Sequence, residues 1–253
     1  MTYDNNKQLS ILDILELHPW PSLTPPSFSF PSLKLFPDLK HTQPACYPTQ
    51  TAKEKTMGKH VVFDVVGTLV GYSAFYDCVE KVLGPKLLKQ NISAKLFGFA
   101  WLESSEREFT YLSISSRYKP YKTVFSAMFY RMLWMSGIAS PRDFATDAER
   151  DEMVKSYSQL QLREGVQETF ALLREAGFEV WCLTTGDQER VLGYFKNAGL
   201  EFPKENFRSC DARGVAKPAL DAYRPLYDGF GAEEEKWFAA AHYWDVSAAK
   251  IVG

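Results

Sequence analysis

The chain has 253 residues, with 29 Lys and Arg against 31 Asp and Glu and a formal net charge of -2, a balance that offers no basic surface to nucleic acid or to an anionic membrane. Its four cysteines, Cys46, Cys78, Cys182 and Cys210, include no C-x-x-C pair, and its four histidines, His18, His41, His60 and His242, show no H-E-x-x-H spacing, so neither a disulfide framework nor a protein-built transition-metal site is expected. No run of about eighteen apolar residues is present to span a membrane, and the first arginine is Arg107, too late for a basic leader, so the reading is of reduced thiols in the cytoplasm and a small neutral or anionic partner.

Residues 1–57 hold more than half of the 14 prolines, in WPSLTPPSFSFPSLKLFP and QPACYP. Fixed φ angles and missing N–H donors exclude long helices and central strands, which predicts an irregular or disordered arm. Its opening, QLSILDILELHPW, has the spacing of one short amphipathic helix that Pro19 ends. A docking element and a solvated tail are both open readings. A chain that began at Met57 would lose no predicted element, which N-terminal sequencing of the native protein tests.

From His60 the pattern becomes regular. HVVFDVV predicts a buried strand with Asp64 at its carboxyl end, after which Gly67 allows a tight turn and Thr68 can hydrogen-bond the loop. Residues 70–162 are helical in pattern: Phe125, Met128, Phe129, Met132 and Leu133 share a face that ends near Gly137, and Ser140 followed by Pro141 predicts an N-cap with proline at the first helical position. Val166, Phe170 and Leu173 then make a helix that stops at Gly177, and EVWCLTT (179–185) a strand. Val191, Phe195 and Ala198 make a helix that stops at Gly199, FRSC (207–210) is a short strand, KPALDAYRPLYDGF a helix, and KWFAAA (236–241) a last strand. Strands alternating with helices predict an α/β, Rossmann-like parallel sheet built from residues 58–69 and 163–253, with the helical segment inserted after the first strand as a cap over the strands' carboxyl ends.

Polar groups stand at the predicted ends of successive strands. Asp64 alone reads as a turn or cap residue. Thr184 and Thr185 before Gly186 offer hydroxyls and backbone N–H groups as an oxyanion cradle, although threonines also cap helices. Lys217 could neutralise buried negative charge, or be a surface lysine; Asp245 follows WFAAA in His242-Tyr243-Trp244-Asp245. Together they are hard to read as separate accidents.

This constellation resembles the haloacid dehalogenase-like (HAD) superfamily of hydrolases, closest to its type II (S)-2-haloacid dehalogenase branch, over His60 to Gly253. The motif F-D-x-x-G-T-L, a helical cap, a hydroxyl motif, Lys-Pro and Trp-Asp occur in the superfamily's order, Tyr223 stands six residues after Lys217, and EREFTYL then SSRY are similar to that branch's first cap helices. The resemblance implies that Asp64 is the nucleophile, displacing the group at C2 of a small organic acid to form an aspartyl ester. Thr184 would hold the substrate carboxylate, Lys217 would keep Asp64 ionised and oriented, Asp245 would pair with Lys217 and help to position water, and Thr68, Tyr223 and Trp244 would line the site. No metal or other cofactor is implied. Superfamily phosphatases carry an aspartate two residues after the nucleophile; here Val66 stands there, and a halide needs no proton to leave whereas an alkoxide does.

The chain departs from the branch in several places. Glu103 stands where the halide cradle has arginine, with Arg107 one helical turn on as a substitute; Thr185 stands for the cradle's asparagine; Ala240 and His242 replace the serine and asparagine before Trp-Asp. His242 is either a general base for ester hydrolysis or a backbone hydrogen-bonding partner. The last strand and helix of the usual core have no counterpart before Gly253, which leaves a sheet edge to be covered. Members of the branch are often homodimers, though no seam is legible here. Two other functions fit the same residues: a magnesium-dependent phosphatase or phosphonatase, and a non-catalytic binding protein with this fold.

Overall fold

The computed structural model describes residues 57–253; the expected arm, Met57 apart, lies outside the described residues. The first strand, β1 (Lys59–Phe63), carries Val61, Val62 and Phe63 buried, as a strand covered on both faces requires. A two-residue strand, β2 (Val70–Gly71), pairs antiparallel with β3 (Gln161–Leu162), Val70 facing Leu162. The chain leaves and rejoins β1's neighbourhood through this pair, and Arg163 clamps it by donating to the Gly67 and Thr68 carbonyls at 3.0 and 2.9 Å.

Everything regular between β2 and β3 is helical: α1 (Ser73–Leu88), α2 (Ala94–Ile114), α3 (Tyr121–Met135), α4 (Pro141–Phe144) and α5 (Asp147–Ser156), with a 3-10 turn at Tyr157–Gln159. The predicted face of Phe125, Met128, Phe129, Met132 and Leu133 is buried on α3, and Gly137 takes the left-handed φ of 97° that ends it. Trp101 of α2 stacks on Phe125 at 4.2 Å and donates its indole N–H to the Phe125 carbonyl at 2.8 Å, so a buried aromatic keeps its polar atom satisfied. Pro141 does open α4, but Ser140 makes no capping bond. The capping box is made by Thr146 and Glu149 at the start of α5 instead.

The return through β3 leads to α6 (Val166–Glu175), β4 (Glu179–Thr184), α7 (Gln188–Asn197), β5 (Phe207–Ser209), α8 (Arg224–Tyr227), β6 (Glu235–Ala239) and α9 (Tyr243–Val252). Strands order as β5-β4-β1-β6, every pair parallel, with Val62 registered between Trp181 and Phe238. Alternate residues of a strand face opposite sides. Phe63 meets Phe170 of α6 at 5.4 Å on one side, where Phe195 and Phe202 continue the layer. Val62 meets Leu183, Tyr223, Leu226, Ala248 and Ala249 on the other. Each buried Val, Leu or Phe among these contributes about 1.5–3 kcal/mol of transfer free energy.

One predicted element fails. The stretch from Lys217 to Phe230 is not one helix but a 3-10 turn at Leu220–Ala222 and the four-residue α8. Pro218 and Pro225 both lack the N–H that a helix interior needs, so helix can begin only at Arg224 with Pro225 in its first turn. β4 and β6 also stop short of the ends read from sequence, at Thr184 and Ala239, which leaves Thr185 and His242 in loops above the sheet.

Candidate active site

Asp64 immediately follows β1, and its backbone N–H still donates to Ala239 of β6 at 3.0 Å, which fixes the carboxyl group at the sheet's carboxyl edge. Each of its oxygens has one donor. Lys217 Nζ approaches Oδ1 at 3.0 Å and the Thr68 hydroxyl approaches Oδ2 at 2.7 Å. Thr68 in turn accepts from the Ala241 N–H at 2.9 Å, tying the β1 turn to the loop after β6. Gly67 makes that turn with φ 97°; a Cβ there would stand 3.1 Å from both the His242 ring and the Tyr72 hydroxyl, so the residue is small for space as well as for conformation.

Lys217 is buried and bridges two carboxylates, reaching Asp245 Oδ2 at 2.9 Å. Burial works against its charged form, but Asp64 and Asp245 outweigh burial and hold the ammonium above the ordinary lysine range. The Tyr223 hydroxyl donates to the other oxygen of Asp245. Asp245 and Tyr223 stand behind the lysine and do not line the pocket. Tyr223, expected to line the site, instead braces Asp245 from behind the lysine.

The pocket beside Asp64 has a cavity volume of about 60 Å³. Its sheet-side lining is Asp64, Val66, Lys217 and the Thr184–Thr185–Gly186 turn. The Thr184 hydroxyl, buried, accepts from the Gly186 N–H at 3.1 Å and so keeps its own proton for another acceptor. His242 and Trp244 line the rim, their rings stacked at 5.3 Å.

The helical segment supplies the other wall, with Glu106, Phe109, Thr110 and Tyr121 from α2 and α3 and Tyr157 from the 3-10 turn after α5. The arginine expected there is absent from it: Arg107 is exposed, because it stands one residue off the buried stripe of Leu102, Ser105 and Phe109, and a helix turns by about 100° per residue. Glu103 is exposed at the rim. Glu106, which sequence reasoning missed, points inward and accepts from the Tyr72 hydroxyl at 3.3 Å. Burial, then the charges of Glu103 and Asp64, push its carboxyl up to about 7 against the pull of that hydroxyl. The signal was there: a glutamate set at helical spacing between Leu102 and Phe109. Arg190, in the first turn of α7, also reaches the pocket, and only the fold brings it there.

Glu103, Glu106 and His242 each place one potential ligand atom within 4.8 Å of the others, so a cation has donors at the rim. A magnesium ion of the phosphatase kind fits less well beside Asp64, because the Val66 side chain offers no oxygen and Lys217 already occupies one carboxylate oxygen.

Three comparisons bear on this geometry. The family model of the haloacid dehalogenase-like hydrolases matches residues 59–253. Among solved structures, the L-2-haloacid dehalogenase from Xanthobacter autotrophicus aligns with TM-score 0.61 and 21% identity, covering 78% of this chain and 75% of that one. The same enzyme with chloropropionic acid covalently bound aligns with TM-score 0.61 and 22% identity over the same shares. The L-2-haloacid dehalogenase RSc1362 aligns with TM-score 0.63 and 20% identity, covering 78% and 84%. At these identities the likeness is one of fold. No curated protein sequence is similar enough to count as a relative.

Proposed function

The chain belongs to the haloacid dehalogenase-like hydrolases, and on that premise we propose that it hydrolyses a small organic acid through attack of Asp64 on carbon. The observation that carries the reading is the setting of Asp64: a carboxylate at a strand end, oriented by Lys217 and Thr68, open to a small pocket, with valine where a leaving-group acid would stand. An oxygen of Asp64 donates its electron pair to C2 of a 2-halo acid, the carbon–halogen bond breaks, and halide departs with the bonding electrons. Water then adds to the carbonyl carbon of the aspartyl ester, giving one proton to His242, which returns it to the departing alkoxide as the 2-hydroxy acid leaves, and the water's second proton passes to solvent as the Asp64 carboxylate is regenerated. Thr184 and the turn after it hold the substrate carboxylate, and residues 70–162 act as the cap that excludes bulk water.

No step in this scheme requires a metal. The dehalogenase with chloropropionic acid covalently bound supports it as a precedent on the same fold. No helix among the described residues is long and apolar enough to cross a membrane; a cytoplasmic setting is part of the proposal. The test is halide release from (S)-2-chloropropionate with and without EDTA. Release that EDTA leaves unchanged and Asp64→Asn abolishes is expected. No release from the folded protein would sink the halogenated substrate, and release dependent on magnesium would sink the metal-free mechanism.

A further inference from the structure

Arg190 has no carboxylate in ion-pair contact among the described residues, and Asp187 acts on its charge only from a distance. Its guanidinium donates to the Tyr194 hydroxyl at 2.5 Å and lies over the rings of Tyr157 and Tyr194, 5.2 and 5.6 Å from their centroids. Asp187, one turn earlier, is exposed and spends its side chain accepting the Arg190 backbone N–H at 2.8 Å. A half-buried cation without a counter-ion is costly unless a ligand supplies one.

A second group in the same pocket is unpartnered. The Tyr121 hydroxyl is buried with no hydrogen-bond partner, although its ring is packed against Phe109, Phe125 and Tyr157. Buried hydroxyls are ordinarily satisfied, so an unpartnered one in a pocket wall is a donor placed for a polar ligand atom. Burial pushes its ionisation up while Arg190 pulls it back, so it stays a neutral donor at physiological pH. Gly186 completes the arrangement: a Cβ there would fall 2.5 Å from Arg190 Nη2, so the glycine is what lets the guanidinium fold back over the turn that follows Thr184.

We propose that Arg190 and Tyr121 complete, beside the Thr184–Gly186 turn, the anion subsite that takes the substrate's carboxylate, Arg190 supplying the positive charge that Glu103 denies on the cap side. A planar guanidinium and a hydroxyl donor match a carboxylate, which a point charge such as a halide would use less fully. Glu106, whose carboxylate lies within 4.8 Å of the His242 ring nitrogen at the rim, is left to face the departing group of a substrate whose carboxylate is seated at Arg190. The subsite rests on the reading of this pocket as the substrate site, and it makes the ligand a small monocarboxylate.

The test is binding, which does not need turnover. Thermal protection by (R)-lactate, its neutral amide and bromide is measured on the wild type and on Asp64→Asn, Arg190→Lys, Arg190→Met and Tyr121→Phe. Protection by lactate and not by the amide is expected, retained in Asp64→Asn, weakened about tenfold or more in Arg190→Met, and weakened less in Arg190→Lys. Tyr121→Phe should weaken binding without lowering the melting temperature of the free protein, since it removes an unsatisfied polar atom. Lactate protection unchanged in both Arg190 variants would overturn the proposal, as would protection by bromide alone that Arg190→Met removes. An inactive Asp64 with intact lactate binding at Arg190 keeps the subsite, whereas catalysis surviving Asp64→Asn fails the nucleophile reading and not this one.

Discussion

Single side chains decide most of what this pocket can do. Glu106 has its proton affinity raised to about 7 from an ordinary 4.5 by burial and by the charges of Glu103 and Asp64. The folded state therefore holds that proton more tightly than the unfolded chain does. Its contribution to stability is complete below about pH 4.5 and is lost as pH rises through about 7. Glu106→Gln should accordingly melt higher than the wild type at pH 8.5, by about 1–2 kcal/mol once partial solvent screening is allowed for, and the gap should close toward pH 4.5. A gap independent of pH would contradict the assignment. If halide leaves toward Glu106, kcat/KM should fall above about pH 7 in the wild type and flatten in the variant. Lys217 makes a second case: Lys217→Met strands two buried carboxylates and should cost about 3–5 kcal/mol in denaturant unfolding at pH 7, measured against the wild type in the same buffer. Full stability at pH 7 would mean that the ion pair is not what holds these groups.

At the scale of elements, the turn from β4 into α7 does more than connect. It presents the Thr184 hydroxyl, runs through a glycine, and begins a helix whose first turn carries Arg190. Gly186→Ala puts a methyl group 2.5 Å from Arg190 Nη2 and 2.9 Å from Val191 Cγ2. Displacement of the guanidinium is the expected response, at an overpacking cost of about 1–3 kcal/mol; lactate protection should fall with it while the circular dichroism spectrum of the fold persists. The strands and the helices α6 and α7 were legible in the sequence because their apolar spacing and their closing glycines, Gly177 and Gly199, agree. The Lys217–Phe230 stretch was not, because its apolar residues keep helical spacing while Pro218 and Pro225 interrupt the backbone hydrogen bonds that spacing presumes.

Across the whole molecule, the site is a product of topology. Asp64, Thr184, Lys217 and His242 are spread over most of the chain, and a parallel sheet collects them because every strand ends at the same edge. That is why most of their positions could be read from motifs: Asp64, Thr184 and His242 stand at or just after a strand end, whereas Lys217 enters from the loop that follows β5. The opposite wall could not be read in this way. Glu106, Tyr121 and Tyr157 enter the pocket by the packing of helices, where one residue of offset separates an exposed Arg107 from an inward Glu106. Arg190 was hidden for a related reason, since its sequence position says helix and only the fold says pocket.

The claim on which the rest depends is that Asp64 forms and then loses a covalent ester. A single turnover of (S)-2-chloropropionate, with enzyme in excess in water enriched in oxygen-18, tests it by mass analysis of the peptide that contains Asp64 and of the released acid. The account predicts that the heavy oxygen enters Asp64 and that the hydroxy acid carries the oxygen that the aspartate held before. Heavy oxygen found in the hydroxy acid, with Asp64 unlabelled, would mean that water attacks the substrate directly, and the nucleophile assigned here would be wrong.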